Sequence, residues 1–172
     1  AARIRQLIVL CAYRLRRQNY EAFTEETVRI FDELHEYRQS FVARDMLASY
    51  AIDRGDFATA RTITEQRLAV ARQQDHHLGV YHALQTMGII SISEGDPARG
   101  ERELLESTRI AHLRGDTYAA AFNLHNLADA VFYQGDVARA QALYEESHDL
   151  ARELNIIPLI HVNLLYLARL VY

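Results

Sequence analysis

Lysine and tryptophan are absent from this 172-residue sequence, cysteine occurs once and proline twice. A lone Cys11 excludes an internal disulfide and fits a reducing, cytoplasmic setting. The two prolines and seven glycines fall at regular boundaries more often than inside segments, which suits an all-helical protein. No apolar run reaches the roughly 18 residues a membrane span needs, and no signal-peptide pattern opens the chain, so a membrane role is not expected. A net charge of −4 argues against a broad nucleic-acid footprint. With no lysine, all nineteen basic residues are arginine. Arginine suits bidentate carboxylate or phosphate binding, but the codon usage of a GC-rich bacterial genome accounts for the bias more simply. Nucleotide-binding glycine loops, a G-x-S-x-G elbow and H-E-x-x-H are missing as well. Asp and Glu are spread over the chain without a general acid–base constellation, so neither catalysis nor a cofactor is expected.

What is present is a phrase repeated every forty residues: Gly55-Asp56, Gly95-Asp96 and Gly135-Asp136. A small residue follows each at a fixed offset, at Ala60, Gly100 and Ala140. Recurrence at this period marks a repeat array. Superposing the copies gives paired helices, the first ending at Gly-Asp and the second following it. Leu47, Met87, Leu127 and Leu167 share one register in the first helices, each followed by a small residue (Ala48, Gly88, Ala128, Ala168). Val70, Ile110 and Leu150 share another in the second helices, followed by Ala71, Ala111 and Ala151. Spacings such as Leu124, Leu127, Ala128 and Val131 form the apolar stripe of an amphipathic helix. Glycine is expected at the left-handed C′ position and the following aspartate at the N-cap of the next helix. The small residues are expected to let paired helices approach closely. A less regular unit precedes the three, with Leu7, Leu10 and Cys11 in the first-helix pattern, Gln18-Asn19 in place of Gly-Asp and Phe23 in place of the small residue. The units then run over about 2–37, 38–76, 77–115 and 116–155, with an unpaired helix over 157–172, about nine antiparallel helices in one domain.

Leu47-Ala48, Gly55-Asp56-Phe57 and Ala60, with Leu127-Ala128, Gly135-Asp136 and Ala140, resemble the tetratricopeptide repeat. The resemblance implies a right-handed α-α superhelix. The sequence departs from the family in its period of forty instead of thirty-four, in Ala51, Ser91 or Val131 where an aromatic precedes the turn, and in lacking the closing proline. Forty-residue repeats of this wording are similar to those of bacterial signal-transduction ATPases and LuxR-type or maltose-activator-type regulators, and also occur in spindle-orientation adaptors and kinesin light chains. The resemblance implies a non-catalytic sensor or protein-interaction module of a larger regulator; a free-standing scaffold joining two proteins is the alternative. Ala1 and the apolar close of the chain are expected to be cuts through a longer array. The apolar stretches Leu7-Ile8-Val9-Leu10 and Leu164 to Tyr172 offer surfaces for dimerisation.

In such a superhelix the first helices line a concave groove, and register names its residues. They are Asp45, Ser49 and Ile52; His82, Gln85, Thr86 and Ile89; Phe122, His125, Asn126, Asp129 and Tyr133; then Val162, Leu165, Tyr166 and Arg169. Amides such as Gln85 and Asn126 can bond an extended peptide backbone without demanding a sequence. The family's carboxylate clamp needs Lys or Arg and Asn where this chain has Asp45, Ser49, Thr86, His125 and Asp129, so chaperone-tail binding is not expected. A protein or peptide, or else a small effector, of neutral, amide-rich or weakly basic character fits better. Asp75-His76-His77 is read as a solvated inter-helix loop and not a metal site. His82 and His125 are read as polar groove residues and not a metal or pH-sensing pair, and Arg14-Arg16-Arg17 as a solvated knot near a helix end. Arg114-Gly115-Asp116 is an inter-helix turn and carries no adhesive role.

Overall fold

A computed structural model describes residues 20–34 and 36–170. Leu7, Leu10, Cys11, Gln18-Asn19 and Arg14-Arg16-Arg17 lie outside the described residues. Eight helices account for almost everything described, where the sequence suggests about nine, and no strand occurs among these residues. They are α1 (Tyr20–Glu33), α2 (Tyr37–Asp53), α3 (Phe57–Gln73), α4 (His77–Ser93), α5 (Pro97–Leu113), α6 (Thr117–Tyr133), α7 (Val137–Glu153) and α8 (Ile157–Leu170). The chain divides into two compact units at Arg67/Leu68, inside α3. In the first, α1 packs on α2; in the second, α4 to α8 pack each on the next, and α4 also touches α6.

Helices α2 to α7 are each 17 residues long, because the turns between them are copies of one device. Gly55, Gly95 and Gly135 adopt positive φ, as the sequence suggests, and so do Asp75, Gly115 and Asn155. Left-handed residues thus recur every twenty positions rather than every forty. At each, two backbone bonds close the helix in a Schellman pattern: Gly95 N–H reaches Ile92 C=O (3.0 Å) and Asp96 N–H reaches Ser91 C=O (2.9 Å). Non-glycine residues with short polar side chains tolerate this conformation better than others do. That is why Asp75 and Asn155 can stand where the sequence shows no glycine.

The next residue starts the following helix. Asp56, Asp96, Asp116 and Asp136 accept from the backbone N–H three residues on, at 3.0–3.1 Å. His76 does the same through Nδ1, accepting from Gly79 N–H at 2.9 Å, so the triplet is a working cap instead of a plain solvated loop. Replacing His76 with aspartate, the commoner cap with a charge suited to the helix dipole, is expected to stabilise the fold by about 0.5 kcal/mol. A lower urea midpoint for the variant would show that the imidazole makes a contact worth more than its cap.

The core follows the small-residue register. Ala60, Ala140, Ala128 and Ala48 are fully or almost fully buried, as are Gly88 and Gly100. A cluster of Leu104, Leu127, Ala128, Ala130, Val131, Ala140 and Tyr144 fills the space between α5, α6 and α7. The register runs on into α8 without the same cover. Leu164 is 49% exposed where Leu124 is 3%, and Ala168 is exposed where Ala128 is buried, because no described helix packs there.

Candidate binding site

Inside the second unit two buried polar relays, forty residues apart, cross three helices each. Ser107 Oγ donates to Tyr81 C=O (2.8 Å) and accepts from Asn123 Nδ2 (2.8 Å), joining α4, α5 and α6. Ser147 Oγ donates to Ala121 C=O (2.7 Å) and accepts from Asn163 Nδ2 (2.8 Å), joining α6, α7 and α8. All four side chains are fully buried, where an unmade hydrogen bond is costly. The identities Ser107/Ser147 and Asn123/Asn163 are visible in the sequence at the repeat period. They escape a reading that aligns only apolar and small positions.

The second relay continues outward. A backbone carbonyl can only accept, so Ser147 must donate to it and accept from the Asn163 amide. Asn163 Oδ1 then faces His125 Nδ1 at 2.7 Å, so Nδ1 carries the proton and a neutral imidazole keeps its lone pair on Nε2. In the first relay Gln85 occupies the register of His125, and Asn123 Oδ1 has no hydrogen-bond partner among the described residues.

Around His125 several of the groove residues named from register come together. His125 Nε2 lies 3.9 Å from Asp129 Oδ2, one helical turn on. Asp129 Oδ1 accepts a hydrogen bond from the hydroxyl of Tyr144, a fully buried residue of α7 absent from the groove set. The rings of His125, Tyr144 and Tyr166 pack mutually, with centroids 5.2–5.5 Å apart. Arg169 places its guanidinium over the Tyr166 ring at 5.6 Å. Burial pushes the Asp129 carboxyl above its ordinary range, against the Tyr144 hydrogen bond and the electrostatic influence of nearby His125, which both favour ionisation. The nearby Asp129 charge in turn raises the Tyr166 hydroxyl, and burial with the bond to Asp129 raises that of Tyr144.

The other groove residues divide. Gln85, Thr86, Ile89, Phe122, Asn126 and Val162 are half-buried, at the border between core and solvent; Tyr133, Leu165 and Arg169 are exposed. Thr86 bonds back to His82 C=O (3.0 Å), and the His82 ring packs on Tyr81 (4.2 Å between centroids). In the first unit Ser49 is exposed and Ile52 half-buried. Asp45 forms an ion pair with the buried Arg67, so part of its carboxylate is committed to the fold. Asp32 is held by both Arg44 terminal nitrogens (2.7 and 3.1 Å) and by Ser40 Oγ (2.6 Å); the Arg44 bond is the largest influence lowering its carboxyl. An open depression of about 450 Å³ beside that pair is lined by Val28, Arg44, Leu47, Thr59, Thr62 and Ile63, among others.

No group of three or more His, Cys, Asp or Glu among the described residues is arranged to hold a metal ion. No described helix is long and apolar enough to cross a membrane. No protein-family model matches this sequence, and no curated protein does.

Proposed function

We propose that the chain is a non-catalytic, tetratricopeptide-like superhelical array that binds a protein or peptide along its first-type helices, as the sensor or interaction module of a larger bacterial regulator. The supporting observation is the row of half-buried side chains at forty-residue equivalents on α4 and α6, continued onto α8 by Tyr166. Contact of α4 with α6, and the His125–Asn163 bond from α6 to α8, make these three helices neighbours in one layer. Amides, rings and a carboxylate in such a row can hold an extended chain by backbone bonds and side-chain pockets. Each repeat touches chiefly its neighbours, so a ligand that shifts one helix pair changes the rotation passed to the next.

Panning a random displayed-peptide library against the chain tests this. Clones are expected that bind the wild type and lose at least about tenfold in affinity on the triple variant Gln85→Ala, Phe122→Ala, Asn126→Ala, whose helicity stays unchanged. Clones that bind both proteins equally would move the interaction off this row.

A further inference from the structure

The cluster at His125 holds a carboxylate with unused bonding capacity. Tyr144 occupies Asp129 Oδ1. Of the described residues His125 alone comes within ion-pair distance of Oδ2, and 3.9 Å is too long for a hydrogen bond. The carboxylate side chain is only 21% exposed, so it has surrendered most of its water without gaining an arginine. A desolvated carboxylate in that state gains more from a cation than an exposed one does.

Next to Oδ2 stands a second acceptor. The relay from Ala121 C=O through Ser147 and Asn163 fixes the proton on His125 Nδ1, so neutral His125 presents the Nε2 lone pair on the side of Asp129. Two acceptors 3.9 Å apart match the diverging N–H groups of one donor-rich head. The rim is aromatic. Tyr133 lies one turn beyond Asp129 on α6 and is 64% exposed, and Tyr166 on α8 is the ring over which Arg169 already sits. Arg169 shows that a guanidinium can rest on this ring, though it makes no ion pair with Asp129. Carboxylate, imidazole acceptor and tyrosine faces together favour a cation that donates hydrogen bonds and stacks, which is guanidinium chemistry first and primary ammonium second.

We infer that Asp129, His125, Tyr133 and Tyr166 form a subsite for a guanidinium or primary ammonium group. This deepens the proposed function by naming the chemistry of one ligand position. The source is either an Arg or Lys side chain of a bound peptide or a free alkyl amine or guanidine.

Titrations of the intact chain with N-butylguanidinium, N-butylammonium, tetramethylammonium and the blocked tripeptide acetyl-Gly-Arg-Gly-amide, followed by amide and tyrosine-ring NMR shifts, test it. The first two probes should saturate, with shifts centred on Asp129, Tyr133 and Tyr166. Tetramethylammonium, which has no N–H, should bind at least about fivefold more weakly. Asp129→Asn should weaken N-butylguanidinium by about tenfold or more while keeping the fold, since the amide oxygen still accepts from Tyr144. Tyr133→Ala should weaken it about threefold. A tripeptide much tighter than N-butylguanidinium assigns the subsite to a peptide side chain, and equal affinities assign it to a free amine or guanidine. Absence of saturation by both N–H cations, or an Asp129→Asn variant that binds them unchanged, would overturn the inference. Panned peptides that lose binding on the triple variant but ignore Asp129→Asn would sink this subsite alone. Cation binding that is sensitive to Asp129→Asn, with no peptide recovered, would sink the peptide-binding function alone.

Discussion

Replacing Gly88 with leucine is expected to cost about 3 kcal/mol or more. A Cβ built on Gly88 would meet Leu104 Cγ at 2.5 Å and both of its terminal carbons at 3.0 Å. Leu104 is fully buried in the core cluster, so it cannot swing into solvent to make room. Gly100 closes the same contact from α5, since a Cβ there would lie 2.9 Å from the Gly88 carbonyl oxygen. Alanine at 88 separates two effects of opposite sign. Removing a mid-helix glycine gains up to about 1 kcal/mol, while overpacking costs about 1–3. A net loss of about 1 kcal/mol is expected for Gly88→Ala. Leu104→Ala alone should cost about 2–5 kcal/mol, but paired with Gly88→Ala the sum should fall short of additive, because the new methyl enters the space the leucine leaves. Denaturant midpoints for the four proteins measure that coupling. Strict additivity would mean the helices part to admit the methyl, so that the close approach is not a constraint.

Tyr144→Ala is expected to cost about 3–5 kcal/mol, as for other large buried aromatics, and Tyr144→Phe about 1–3, because the phenol is the donor to Asp129 Oδ1. The phenylalanine variant carries a pH signature. Burial already raises the Asp129 carboxyl from its ordinary 3.8, so its contribution favours folding at low pH and is lost as pH rises through the raised folded value. The Tyr144 hydrogen bond opposes that rise. Its removal should move the folded value higher still and extend the loss further up the scale. The gap between wild type and Tyr144→Phe should therefore be larger at pH 8 than at pH 4. Asp32 in the first unit has the opposite sign, because its carboxyl is lowered by Arg44 and its contribution fades as pH falls. Tracking Asp129 by carboxyl-carbon NMR keeps the two apart. A pH-independent gap would show that the hydroxyl does not act on the Asp129 carboxylate.

The helical class and the Gly-Asp turns were legible because they rest on local chemistry. Glycine at C′ and aspartate at the N-cap act within a few residues of themselves, so their spacing in sequence is their spacing in structure. Asp75 reads as part of an inter-helix loop, but neither it nor Asn155 was legible as a left-handed residue, since such a non-glycine residue looks like any other polar one. His76 likewise reads as part of a loop until Gly79 N–H is seen to point at it. The row beside the apolar stripe follows from helical geometry, so register alone could name residues that prove half-buried. Register could not show that Asp45 faces Arg67 rather than open groove. Nor could it show that buried Tyr144, which shares its register with Leu104, reaches the Asp129 carboxylate.

The Gly-Asp phrase and its small-residue companions by themselves determined where the first-type helices end, which faces pack and which residues border the core. Those outcomes depend on φ preferences, caps and the 3.6-residue turn, all short-range along the chain. Only the tertiary structure decided which polar groups meet. It brought a relay from Ala121 to His125 and a tyrosine from α7 to one carboxylate, because hydrogen bonds between helices need ångström-scale placement that a repeat period does not encode.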